Sequence, residues 1–251
     1  MFSSSEIKQF ARDGYIIARS LAAPALCAAM VKFTEEALAA EAQPLEYEAQ
    51  LHYPGAPQTL DAPGGHTVRR LLQAYGRGPL FREWALHPAV IGRLRQLLGP
   101  RLMLPQAHHN CIMTKQPRYS SDTLWHQDIR YWSFERPELI SVWLALGHEF
   151  PDNGCLHVLP GTHTMDFTPQ QLDAAQFLRT DAPENQALLA TQVATELDAG
   201  DVLFFHCRTF HAARRNRTQQ PKFSVVFTYR AADNHPLPGS RSASMPEIAV
   251  P

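Results

Sequence analysis

From Leu102 onward the chain runs through short segments rich in β-branched, aromatic and aliphatic residues, each cut off by turn formers. This grain constrains the fold more than any other feature. The segments are LMLPQAHHNCIMTK, TLWHQDIRYW, LISVWLALG, GCLHVLP, DVLFFHC and KFSVVFTYR. Short strands of this kind bury their apolar faces only against one another, which predicts an antiparallel β sandwich or barrel. The first hundred residues read differently, as mainly helical. SSSEIKQFARDG offers a capping box from Ser3 to Glu6 and a glycine stop at Gly14. PALCAAMVKFTEEALAAEA and REWALHPAVIGRLRQLLG carry apolar residues at helical spacing, and YPGAPQTLDAPGGH between them is loop. The expectation is one domain over 1–251: helical support over 1–100, a β core over 101–231, and a tail or lid over 232–251.

Composition narrows the function classes. Of 251 residues, 45% are hydrophobic and 19% charged, enough for a sizeable core. A formal net charge of -1 gives no general attraction to nucleic acid or to an anionic membrane. The N-terminus lacks an apolar run of signal-peptide or membrane-span length. Cys27, Cys111, Cys155 and Cys207 are far apart with no CxxC spacing, which fits a reducing cytoplasm. The expected partner is a small molecule, with no nucleic acid and no membrane, and the oligomeric state is open.

TLWHQDIRYW places His126 and Asp128 at i and i+2, so that in an extended strand both side chains share a face. An imidazole and a carboxylate suit a borderline divalent metal, and a second histidine would complete a facial triad with open positions. The chain has 12 histidines, so position must choose. His206 and His211 both precede the strand that begins at Lys222. A hairpin centred between Asn216 and Arg217 sets His211 opposite Lys222, with Cβ atoms about 4.5–5.5 Å apart. His206 does not pair with Lys222 in that register, so His211 is the expected third ligand. A small diacid could then chelate the metal at one end and salt-bridge Lys222 at the other.

WHQDIRYW, NGCLHVLPGTH, GDVLFFHCRTFHAARRNRT and KFSVVFTYR together resemble the phytanoyl-CoA dioxygenase family, from about Gln106 to Arg230. The resemblance implies a mainly β fold with helices, a double-stranded β-helix or jelly roll. It implies iron(II) held by His126, Asp128 and His211, which act catalytically through the metal, with 2-oxoglutarate and O2 as cosubstrates. The implied reaction couples oxidative decarboxylation of 2-oxoglutarate to hydroxylation of an aliphatic C–H. Lys222 stands where relatives carry the arginine that holds the 2-oxoglutarate tail, keeping the charge without the planar two-pronged grip. Trp143 aligns with a family aromatic near the cosubstrate, and His109 falls where relatives have a cosubstrate-contacting glutamine. Asp128 replaces the small residue of related halogenases, which speaks against halogenation.

Trp132 and Arg70, with Arg69, are candidates for the substrate pocket. Each residue also has a plain structural alternative: core packing for the tryptophans and His109, an exposed strand for Lys222, a solvated loop for the arginines. Arg208, Arg214, Arg215 and Arg217 could attract a phosphate or simply line a solvated turn. GDVLFF and PGTH read as turn and strand-start chemistry. Two other functions fit the residues: a metal enzyme of the same fold that does not use 2-oxoglutarate, and a non-catalytic ligand sensor.

Overall fold

The computed structural model describes residues 1–251. In chain order the elements are α1 (Ser4–Asp13), β1 (Tyr15–Ala18), α2 (Pro24–Ala39), β2 (Leu45–Tyr47), β3 (Val68–Leu72), α3 (Pro79–Ala85), α4 (Pro88–Leu98), β4 (Leu102–Pro105), β5 (Asn110–Lys115), β6 (Thr123–His126) and β7 (Leu139–Ala145). They continue with β8 (Leu156–Val158), α5 (Pro183–Leu189), β9 (Val193–Ala194), β10 (Val202–His206), β11 (His211–Ala213), β12 (Lys222–Ala231) and β13 (Glu247–Val250). α1 starts on the expected capping box, with Ser3 accepting from the Glu6 amide and the Glu6 carboxylate accepting from the Ser3 amide. Gly14 ends it in the left-handed region at φ 76°. No helix is long and apolar enough to cross a membrane.

Two antiparallel sheets form the double-stranded β-helix. The larger has nine strands, in the order β1-β10-β7-β12-β5-β3-β2, with β4 beside β12 and β13 beside β4. The smaller runs β6-β11-β8-β9. Strand alternation divides the larger sheet into two faces with different work. Ile140, Val142 and Leu144 of β7, Val202 and Phe204 of β10, and Phe223, Val225 and Phe227 of β12 join Phe81, Trp84 and Leu94 of the helices in one core. Trp143, Leu203, Phe205 and Val226 point the other way and meet Leu156 and Ala213 of the smaller sheet. Both faces are covered, so all seven residues of β7 and all ten of β12 are buried. That is why these segments read as unbroken apolar runs, and why the few polar residues among them mark the inner face.

The structure corrects several expectations. The first hundred residues supply β1, β2 and β3 to the larger sheet as well as helices. Their strands are only three to five residues long, too short to show an alternating pattern. LMLPQAHHNCIMTK is two strands, and TLWHQDIRYW stays extended only to His126 before a 3-10 turn over Asp128–Tyr131. The tail is docked: β13 pairs with β4, Arg230 ion-pairs with Glu247, and Ser242 is buried against His108 and the Ser133 amide. The hairpin placing His211 opposite Lys222 does not form. β11 pairs with β6 and β8 in the smaller sheet, whereas Lys222 pairs with Lys115 in the larger one. The polar segment after Ala213 crosses between the sheets, a job a tight turn cannot do.

Candidate metal centre and its cavities

His126 ends β6, His211 opens β11, and the two are directly paired across the smaller sheet. Their ring centroids are 4.2 Å apart. Asp128 follows in the 3-10 turn, which the Ile129 amide ties to the Cys207 carbonyl at 3.1 Å. The donor atoms of His126, Asp128 and His211 all lie within 4.8 Å of one another, and all three residues are buried. The shared strand face expected for His126 and Asp128 is therefore replaced by a strand end and a turn, which converge on the same point.

The surroundings aim these atoms. His126 Nδ1 donates to the Leu124 carbonyl at 2.8 Å, and His211 Nδ1 donates to the Thr209 carbonyl at 3.0 Å. A carbonyl only accepts, so both rings are held with Nδ1 protonated and the Nε2 lone pair free. The two Nε2 atoms lie 3.9 and 3.6 Å from Asp128 Oδ1. The other oxygen, Oδ2, accepts from Ser141 Oγ at 3.1 Å, with His109 Nδ1 3.5 Å away. Thr228 Oγ1 lies 3.3 Å from the Ser141 hydroxyl across the β7–β12 pair. Burial, followed by the neighbouring His211, pushes the pKa of His126 well below the ordinary histidine value. Burial likewise takes His109 down to about 4. Two neutral nitrogens and one oriented carboxylate oxygen form a donor set that fits a divalent transition metal. His206 takes no part; its ring packs against His163.

Two cavities meet at this cluster, sharing Arg70, His109, Thr123 and His126 in their walls. The outer one, about 190 Å³, is bounded by Glu46, Arg70, His108, Tyr131, Trp132 and Arg241 among others. Trp132 packs at a tilt of 33° against His108, with ring centroids 5.0 Å apart, and meets His109 edge-on at 5.3 Å, so it is both wall and packing. Arg70 lies 3.3 Å from Glu46, while Arg69 is buried against Glu48 at 3.2 Å and does not reach the outer cavity. Neither arginine sits in a solvated loop, because β3 is a sheet strand. Of the basic cluster, Arg208 pairs with Asp166 and Arg215 with Asp122. The deeper cavity, about 40 Å³, reaches Trp143 and Lys222. Lys222 is buried and carries a partner the sequence did not suggest. Its Nζ lies 2.9 Å from Glu149, whose carboxylate also accepts from Ser224 Oγ at 2.6 Å and from Trp143 Nε1 at 3.1 Å.

The motif glycines and hydroxyls are structural. Asn153 clamps its own loop through the Phe150 amide and the His148 carbonyl, and Gly154 turns at φ 78°. Thr162 of PGTH accepts from the Phe210 amide, and Asp201 of GDVLFF accepts from the Ser20 and Asp198 amides.

The model for the phytanoyl-CoA dioxygenase family matches residues 10–224. The chain belongs to this family. Within it, the human peroxisomal phytanoyl-CoA dioxygenase is 30% identical over 167 residues, 62% of this chain and 47% of that protein. An ectoine dioxygenase of Bordetella bronchiseptica is 25% identical over 252 residues, covering 92% of this chain and 76% of the relative. The chain thus aligns with about half the length of the phytanoyl-CoA dioxygenases it matches. Among solved structures, EctD from S. alaskensis with 2-oxoglutarate and 5-hydroxyectoine superimposes with a TM-score of 0.74 at 22% identity. That superposition covers 94% of this chain and 78% of the other. It shows a shared fold.

Proposed function

We propose that this chain is an iron(II)- and 2-oxoglutarate-dependent dioxygenase that hydroxylates an aliphatic C–H of a small molecule. The observation that carries the reading is the His126–Asp128–His211 cluster: two buried imidazoles with fixed tautomers and one oriented carboxylate, opening onto two cavities. His126, Asp128 and His211 would hold the iron, which when bound supplies the redox chemistry for activating O2 at the expense of 2-oxoglutarate. The rest is the work of the chain. Ser141 and His109 orient the Asp128 carboxylate, and the Leu124 and Thr209 carbonyls keep both imidazoles neutral with Nε2 presented. The deep cavity, with His109, Trp143 and Lys222 in its wall, receives the cosubstrate. The outer cavity receives the substrate, and Trp132 and Tyr131 help to exclude water.

On that outer wall the buried His108 Nδ1 has no partner, and Arg70 Nε and Glu46 Oε1, 3.3 Å apart, form an ion pair without a hydrogen bond. An all-hydrocarbon occupant would leave them so, which favours a polar substrate that Arg70 can grip through a carboxylate or comparable anion. The buried, unpaired cysteines support a cytoplasmic location. Incubation with iron(II), ascorbate and 2-oxoglutarate tests the reading: succinate should form only with iron, and the Asp128→Ala protein should form none. Equal succinate from wild type and Asp128→Ala would overturn it. A sensor without turnover is disfavoured by the same geometry, since binding alone needs no cluster of two imidazoles and a carboxylate facing open space.

A further inference from the structure

Four lysines and arginines line the deep cavity, and three of them come with their own carboxylate. Arg69 pairs with Glu48 at 3.2 Å, Arg70 with Glu46 at 3.3 Å and Lys222 with Glu149 at 2.9 Å. The fourth is Lys115. It is buried at the end of β5, and its Nζ donates to two backbone carbonyls, Ser121 at 2.7 Å and Ala213 at 3.4 Å. Two acceptors leave one of its three N–H groups without a partner. Lys115 is also the direct cross-strand partner of Lys222, so both side chains stand on one face of the sheet, toward the same cavity.

We infer that Lys115, and not Lys222, reads the distal carboxylate of the 2-oxo acid, because Glu149 has already neutralised Lys222. The inference rests on the function proposed above. Glu149 has no exposed surface and is fixed through its backbone to Leu197 in both directions, at 2.7 and 3.0 Å. Its carboxylate is held by Ser224 Oγ at 2.6 Å and Trp143 Nε1 at 3.1 Å as well as by Lys222, so its charge stays beside Lys222 when a diacid enters. A carboxylate approaching Lys222 meets a pair with no net charge, whereas one approaching Lys115 supplies the anion that this lysine lacks. Burial, and then Arg69, push the Lys115 pKa well below the ordinary lysine value. A carboxylate bound beside it offsets both effects.

The test compares two acids of equal chain length, 2-oxoglutarate and 2-oxovalerate, in which a methyl group replaces the distal carboxylate. Affinities are measured by calorimetry on manganese(II)-loaded protein, with manganese as a redox-stable stand-in for iron. Wild type should prefer 2-oxoglutarate, and Lys115→Met should shrink that preference by roughly tenfold or more while binding 2-oxovalerate as before. The charge-neutral double variant Lys222→Met/Glu149→Gln avoids stranding either buried charge, and it should keep the wild-type preference to within about threefold. A preference that survives Lys115→Met and collapses in the double variant would assign the role to Lys222 and overturn the inference. A wild type that does not discriminate between the acids would overturn it too. Metal-dependent binding of neither acid would instead defeat the function proposed for the site, and this inference with it.

Discussion

One oxygen of Asp128 faces the two histidines while the other is held by Ser141, so the carboxylate is presented to a metal by a single atom. Residues behind a ligand typically contribute tenfold to a hundredfold in metal affinity, and Ser141→Ala should weaken binding by about that much. Competition against a chromogenic chelator measures it, and an unchanged affinity would mean that Ser141 has no hold on the ligand. His211→Ala should lose the metal altogether while His206→Ala keeps it, as metal content after dialysis will show; the reverse pattern would break the assignment. At this scale the cluster of His126, Asp128 and His211 could be read from the sequence because the HxD spacing and the ordered motifs are local. The structure brings His211, and not His206, beside His126 and Asp128, although the hairpin that motivated the choice of His211 does not form. Glu149 and Lys115 were not readable, since their importance comes from which strands pair. One signal was available: a lysine at the head of KFSVVFTYR, a run with every mark of full burial, requires a counter-ion somewhere.

The segment carrying NG makes a tight crossing between β7 and β8, and its geometry depends on a residue without a side chain. At Gly154, φ is 78°, and an added Cβ would lie 2.3 Å from the Arg214 carbonyl oxygen. Gly154→Ala combines backbone strain with a clash against main chain, and it should destabilise the protein by about 1–3 kcal/mol or more. Urea unfolding measures the loss, and a variant as stable as wild type would show that the crossing can relax. Because this loop also carries Glu149, the variant doubles as a probe of the inner face. The long apolar strands were legible through composition and turn punctuation. The short strands β1, β2 and β3 were not, because partners distant in the chain decide their conformation.

For the whole molecule, the face of the larger sheet that packs on the helices carries the core and the opposite face carries the candidate site, while two half-buried histidines lie elsewhere, His108 beside the tail and His206 on the helix-packed side. Burial is the leading cause that takes His108 down to about 3 and His206 down to about 4. Both bind protons more readily when the chain is unfolded. Stability is therefore greatest above the ordinary histidine pKa of about 6.5 and falls as pH drops through the window toward 4. Thermal unfolding at constant ionic strength should show a falling midpoint from pH 7 to pH 4, with a shallower fall in His206→Gln. A midpoint rising on acidification would contradict the burial of these rings.

In the function proposed here, three buried side chains hold an iron to which a 2-oxo acid can bind. Anaerobic titration of the iron(II)-loaded protein with 2-oxoglutarate tests it most directly. A visible metal-to-ligand charge-transfer band is expected that saturates at one 2-oxoglutarate per chain and is absent from His126→Ala. A folded, iron-loaded wild type that stays colourless at saturating 2-oxoglutarate would contradict it.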